Sequence, residues 1–110
     1  MHLLIAFILV FSVLSYTPFF PVNASSALNE DYESGEELYD LACANCHGKN
    51  MHNPGNTSFN LNEFPKDEKQ RFIESVINGK GLMPALGQAL VPEELEQLWF
   101  YISQKNKLKN

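Results

Sequence analysis

The chain has 110 residues, with eight basic and thirteen acidic residues, a formal net charge of −5 and 45% hydrophobic content. An acidic balance argues against a nucleic-acid partner. The length allows one small domain, which is marginal for a core built from side chains alone and commonly carries a disulfide, metal or other staple.

Leu3 to Leu14 is an apolar run broken only by Ser12. It has the length of a signal-peptide hydrophobic region and is short of a membrane span. Pro18 and Pro21 follow, then cleavage-type patterns at Val22-Asn23-Ala24 and Ser25-Ser26-Ala27. Met1-His2 departs from the pattern by lacking Lys or Arg. Residues 1–24 are therefore expected to be a signal peptide, with a cut after Ala27 or an uncleaved anchor over Leu3–Phe20 as alternatives. Residues 25–110 form the domain and hold every charged residue. The expected location is the periplasm, or the periplasmic face of a membrane if the leader stays attached.

Ala24 to Tyr32 is polar and acidic and reads as a flexible lead-in. Ser34 to Glu37 fits a capping box that opens a helix. Leu38, Leu41 and Ala42 recur behind it at helical spacing, with Tyr39 beside them. This helix runs into Cys43-Ala44-Asn45-Cys46-His47, which contains the only two cysteines of the chain.

Two cysteines three apart followed by histidine form the attachment signature of c-type haem. On a helical turn the two thiols point the same way and can form thioethers with the two vinyl groups of one porphyrin. The adjacent histidine then offers an imidazole nitrogen to the iron as proximal ligand. Three other readings use the same residues: a Cys43–Cys46 disulfide, a thioredoxin-like pair, and a zinc site with His47 and His52. The thioredoxin reading needs a βαβ pattern that the chain lacks. Export and haem agree, since c-type haem is joined after the membrane is crossed.

Lys49 to Asn62 has no period and contains the turn Pro54-Gly55-Asn56. A loop of this length needs something to wrap, and a haem edge would serve. Asn23-Ala24-Ser25 and Asn56-Thr57-Ser58 match glycosylation acceptors, a frequent accidental pattern. Pro65 is placed in the first turn of a second helix, with Asp67 and Glu68 near its positive end. Phe72, Ile73, Val76 and Ile77 make its apolar stripe, and Asn78-Gly79 stops it. Gly79 to Gly87 is extended and presents Met83. Pro92-Glu93-Glu94 opens a last helix with Leu95, Leu98, Trp99 and Ile102 on one face. Lys105, Lys107 and Lys109 sit at or beyond its negative end.

A haem iron held by His47 has a sixth position, for which Met83, Met51, His52 and water are candidates. Met51 and His52 follow His47 by only four and five residues. Met83 is far enough along for the chain to pass to the other haem face. It also lies in a helix-free tract between Gly81-Leu82 and Pro84-Ala85, so it is the expected ligand. A soft thioether favours reduced iron, and a closed sixth position leaves electron transfer as the only chemistry.

These residues resemble the monohaem class I cytochromes c over nearly all of the exported part. Gly35-x-x-x-Tyr39 and Leu98-x-x-Tyr101 match the pairs with which that family's first and last helices cross. Asn60-Leu61 matches the end of a Pro-Asn-Leu element whose proline carbonyl accepts from the proximal histidine, with Phe59 here in the proline's place. The stretch Asn78 to Ala85 is most similar to small cytochromes of the c6 and c553 sort. A weaker likeness, from Phe64-Pro65 through Arg71-Phe72 to Leu98-Trp99, is to cytochromes that serve quinoprotein alcohol dehydrogenases.

The resemblance implies an all-α class I cytochrome c fold, three main helices around one covalent haem c. Cys43 and Cys46 are its tethers, and His47 and Met83 its axial ligands. It implies a monomeric single-electron carrier, not an enzyme, that meets a redox donor and acceptor in transient contacts. The quinoprotein likeness points to such a dehydrogenase as donor, and a terminal oxidase is the expected acceptor. Lys49, Lys66, Lys69, Arg71 and Lys80 are candidates to rim the exposed haem edge, and a solvated face explains each of them equally well. Acidic Glu30 to Asp40 is placed on the back, and Trp99, Phe100 and Tyr101 in the core. The rivals are an open-iron haem enzyme or gas binder, and a small zinc or disulfide module.

Overall fold

The computed structural model describes residue 21 and residues 23–108, with side chains through residue 105. The leader, anchor and Pro18 readings fall outside these residues, as do the side chains of Lys107 and Lys109. Four helices carry the fold: α1 (Ala24–Ala42), α2 (Ala44–His47), α3 (Lys69–Asn78) and α4 (Pro92–Leu108). Single 3-10 turns occupy Lys49–Met51 and Leu61–Glu63. Among the described residues there is no strand, only an isolated bridge between Lys80 and Met83. The all-α expectation holds. No helix among the described residues is long and apolar enough to cross a membrane.

The frame is the crossing of α1 and α4. A side chain at Gly35 would put its Cβ 2.2 Å from the Gln97 carbonyl oxygen and 2.8 Å from Tyr101 Cβ. Backbone therefore meets backbone there, and only glycine fits. One turn on, Tyr39 packs its ring 5.4 Å from that of Tyr101, and Tyr32 lies 5.2 Å from Tyr101 on the other side. Leu98, Tyr101 and Ile102 of α4 are fully buried against this surface, each contributing about 1.5–3 kcal/mol through removal from water. The Gly35, Tyr39, Leu98 and Tyr101 positions are those that the family resemblance assigned to the crossing.

The helix α3 and its neighbours form a second, aromatic layer. Phe72 and Val76 are buried, and Phe64, Phe72 and Trp99 stack at centroid distances of 5.5 to 6.2 Å. Trp99 and Phe100 are half-buried and Tyr101 is fully buried, so the expected core trio is graded rather than uniform. Gly79 ends α3 at φ 73° and ψ 169°, a conformation essentially confined to glycine. At the start of α4, the Val91 N–H donates to Glu94 Oε2 at 2.9 Å. This carboxylate satisfies one of the donors that a helix start leaves open.

Three expectations are corrected. First, α1 begins at Ala24, so residues 24–32 are helical rather than a loose lead-in, and Ser34–Glu37 lies inside the helix. The extension is held by Tyr32, whose ring packs on Tyr101. Second, Leu41 is 79% exposed and Ala42 is exposed. The buried stripe runs through Gly35, Tyr39 and Cys43 instead, because close approach at a glycine sets the inward direction. Third, Pro65 precedes the second long helix rather than opening it. Phe64 is extended (φ −65°, ψ 130°), as proline demands of the residue before it. Glu68 N–H then closes a turn onto the Pro65 carbonyl, and the helix starts at Lys69.

Candidate functional site

The attachment motif does not ride on one unbroken helix. Cys43 caps α1 at φ −116° and ψ −35°, its N–H donating to the Tyr39 carbonyl at 2.8 Å. The chain then makes a fresh turn, with the N–H groups of Cys46 and His47 both donating to the Cys43 carbonyl, at 3.2 and 2.9 Å. Gly48 stops this turn at φ 85° and ψ 151°. A Cβ at Gly48 would lie 1.6 Å from the His52 carbonyl oxygen. Conformation and crowding therefore both demand glycine at this exit. The Tyr39 hydroxyl donates to the Gly48 carbonyl at 2.8 Å, tying the exit to the α1–α4 crossing.

Both cysteines are free thiols. Cys43 is buried and Cys46 exposed. Burial, with Cys46 as a second cause, pushes the Cys43 thiol up to about 11. The disulfide reading finds no bond here. Among the described residues no three His, Cys, Asp or Glu side chains gather as a metal-holding cluster, so the zinc reading lacks its ligand set.

The His47 ring is oriented by backbone. Its Nδ1 donates to the Phe59 carbonyl at 2.9 Å, so Phe59 supplies the acceptor that its place in the sequence suggested. With Nδ1 committed, Nε2 is the nitrogen left to bind a metal, the usual arrangement of a ligating histidine. The Phe59 side chain is 52% exposed and meets Phe64 edge-on at 6.1 Å.

Met83 sits in a tight turn made by two reciprocal bonds, Lys80 N–H to the Met83 carbonyl (3.1 Å) and Met83 N–H to the Lys80 carbonyl (3.0 Å). The turn stands on α3, because Leu86 and Gly87 N–H groups donate to the Val76 and Ile77 carbonyls. Met83 is partly buried against the core, and its neighbour Leu82 is 95% exposed. The other sixth-ligand candidates differ. Met51 is 1% exposed and belongs to the core, while His52 is exposed.

Of the five cations considered for a docking rim, three are engaged within the fold. Lys66 Nζ donates to the Ile102 carbonyl at 2.9 Å, and burial lowers its pKa. Lys69 pairs with Glu96 at 2.5 Å, and Arg71 with Glu68 at 2.7 Å. Lys49 and Lys80 are exposed.

An imidazole with one nitrogen anchored, two free thiols on the same turn and a thioether on a separate rigid loop make a donor set suited to a tethered haem. The residues that sequence reasoning missed are the asparagines of the 53–62 loop. Asn53 and Asn56 side chains accept from Gly55 and Ser58 N–H groups at 2.8 Å, and Asn56 Nδ2 donates to the Cys46 carbonyl at 2.9 Å. Their abundance after the motif was the available signal.

Comparison with known proteins agrees with this geometry. Residues 30–102 match the family model described as cytochrome C oxidase, cbb3-type, subunit III. Cytochrome c6 of Rippkaea orientalis is 33% identical over 103 residues, covering 90% of this chain and 86% of the relative. Cytochrome c6 of Gracilaria tenuistipitata var. liui is 30% identical, with 97% of each chain covered. Cytochrome c-551 of Bacillus subtilis is 45% identical over 51 residues, 46% of this chain and 44% of the relative. No solved structure gives a significant match. The chain thus belongs to the class I monohaem cytochromes c, and is an electron-transfer protein with one covalent haem c.

Proposed function

We propose that this protein is an exported single-electron shuttle in which Cys43 and Cys46 hold haem c by thioethers and His47 and Met83 are the axial ligands. The observation that carries this reading is the 2.9 Å bond from His47 Nδ1 to the Phe59 carbonyl, beside two free thiols. It fixes the ring and raises its basicity toward a metal at Nε2. The bound haem supplies an iron that changes charge by one. His47 and Met83 would hold that iron, and Met83 on its turn would leave oxygen and peroxide no place to bind.

Burial of Met51 in the core and exposure of His52 leave Met83 as the thioether on an independent loop. The carrier works as a monomer in the periplasm. Its encounters with other exported redox proteins are small, below about 1,200 Å² of buried area. A quinoprotein dehydrogenase is the donor to which the sequence likeness points, and a terminal oxidase is the acceptor proposed with it.

The deciding experiment compares visible spectra and reduction potentials of the parent and Met83→Ala, both made in a host that attaches haem. The parent shows a Soret band and a weak absorption near 700 nm that marks sulfur–ferric iron bonding. Met83→Ala loses the weak band and falls in potential. An unchanged spectrum and potential in Met83→Ala would remove the ligand assignment.

A further inference from the structure

The loop that delivers the Phe59 carbonyl has no helix or sheet ladder to hold it. Side-chain amides hold it: Asn62 Nδ2 donates to the Met51 carbonyl just beyond it, and two more act within it. Asn56 Nδ2 reaches ten residues back to the Cys46 carbonyl at 2.9 Å, while Asn56 Oδ1 accepts from the Ser58 N–H at 2.8 Å. Asn53 Nδ2 donates to the Ser58 carbonyl, and Asn53 Oδ1 accepts from the Gly55 N–H at 2.8 Å. Both polar backbone atoms of Ser58, the residue just before Phe59, are therefore taken by asparagine side chains. One of those asparagines is tied directly to the turn that carries His47.

We propose that Asn56 is a positioning residue for the His47 imidazole, linking the attachment turn to the Ser58–Phe59 segment so that the Phe59 carbonyl stays on Nδ1. The proposal deepens the ligand reading above and rests on His47 being the proximal ligand. Asn56 makes its side-chain bonds to the Cys46 carbonyl and the Ser58 N–H. It acts through the Phe59 carbonyl, and that bond makes the imidazole a stronger donor to the metal. A stronger donor stabilises ferric iron, so a firm bond lowers the reduction potential and a loosened one raises it. Backbone rigidity from another source would substitute. A proline at position 59 locks φ of that residue and removes an N–H that makes no hydrogen bond among the described residues.

The test uses the full haem-loaded protein and four variants: Asn56→Ala, Asn56→Asp, Phe59→Pro, and Asn56→Ala with Phe59→Pro. Three quantities are read: hydrogen exchange of the Ser58 amide, exchange of the His47 Nδ1 proton, and the reduction potential. Asn56→Ala removes the bonds to Cys46 and Ser58; both exchange rates rise by about fivefold or more, the scale of an ordinary hydrogen bond lost, and the potential rises. Asn56→Asp keeps the acceptor for Ser58, so amide protection survives. It loses the donor to Cys46, so His47 Nδ1 exchange still quickens. Adding Phe59→Pro to Asn56→Ala returns the potential to that of Phe59→Pro alone.

If Asn56→Ala exposes the Ser58 amide yet leaves Nδ1 exchange and potential at parent values, Asn56 merely braces the loop and the proposal fails while the His47 assignment stands. If the parent shows no paramagnetically shifted His47 ring resonances in the ferric state, the ligand reading fails and takes the proposal with it. A raised potential that the proline does not bring back also overturns it.

Discussion

The α1–α4 crossing and the 48–60 loop both bring backbone against backbone, and they stabilise that approach in opposite ways. At the crossing, Gly35 lets two helices touch, and Tyr39, Leu98 and Tyr101 close a dry interface around the contact. Burial supplies most of the stabilisation. In the loop, Gly48 lets the chain fold back toward His52, and side-chain amides supply the bonds that a ladder would otherwise make. The first region resists because it excludes water. The second is specific because particular side-chain amides meet particular backbone atoms, and most of it is exposed. A redox site benefits from both, since the frame holds the fold while the loop sets the electronics of one imidazole.

The largest test breaks each region at its glycine. Gly48→Ala adds a Cβ 1.6 Å from a carbonyl oxygen at a φ of 85° that side chains rarely adopt. Clash and backbone strain together are expected to cost about 3 kcal/mol or more. Gly35→Ala meets the Gln97 carbonyl at 2.2 Å with an ordinary helical backbone, so the clash stands alone at about 1–3 kcal/mol. Urea midpoints give the two losses. The spectra separate the regions: Gly35→Ala keeps the parent spectrum and potential in its folded fraction, whereas Gly48→Ala shifts both. Equal spectral disturbance from the two variants would mean that frame and loop are not separable.

The next test uses pH, which acts first on the tyrosines of the frame. Burial raises the phenol pKa of Tyr39 and Tyr101 above the usual 10.0, and the Glu36 carboxylate adds to the rise at Tyr101. Tyr32 is raised in the same sense. The folded state thus holds these protons more tightly than the unfolded chain. Their contribution is complete below pH 10 and is lost as pH rises from there through the folded values. Stability should be insensitive to tyrosine ionisation at pH 8–9.5 and fall above about pH 10, each tyrosine adding up to about 1.4 kcal/mol per pH unit. Tyr101→Phe should lower the alkaline slope of the urea midpoint by about one tyrosine's worth. An unchanged slope would mean that Tyr101 ionises freely in the folded protein.

The two regions also differed in how much the sequence revealed. Helical periodicity found the buried faces of α3 and α4 because Phe72, Val76, Leu95, Leu98 and Ile102 recur on the inner face and water has to be excluded from them. It misjudged part of α1, where Leu41 and Ala42 are exposed while Leu38 packs against the core. A glycine contact has no hydrophobic signature, so only the family likeness placed Gly35 inward, whereas Tyr39 already reads beside the apolar residues. The acidic start of α1 also read as loose chain, since Leu28 is half exposed and the ring packing of Tyr32 on Tyr101 is a contact across about 70 positions of sequence. At the site, the Cys-x-x-Cys-His spacing named its own chemistry. The hydrogen bonds of Asn53 and Asn56 did not show, because side-chain bonds to backbone in a loop follow no period.

The smallest effect lies at the seam between the regions. Arg71, on α3, pairs with Glu68 at 2.7 Å and sets its guanidinium 4.6 Å from the centre of the Phe64 ring. Phe64 in turn stands edge-on to Phe59, whose carbonyl holds His47. The arrangement offers a mechanical path from frame to loop, and the question is whether the path carries energy. Arg71→Lys keeps the charge near Glu68 and loses the flat stacking surface, so the expected cost is about 0.5 kcal/mol, much of it from the cation–ring contact. The ion pair adds little, because both side chains are 40% or more exposed and salt screens them. If the seam is only a packing contact, the urea midpoint drops slightly while the potential stays at the parent value. If the potential moves as well, Phe64 transmits the orientation of α3 to the Phe59 carbonyl, and the loop's asparagines share their task with the frame.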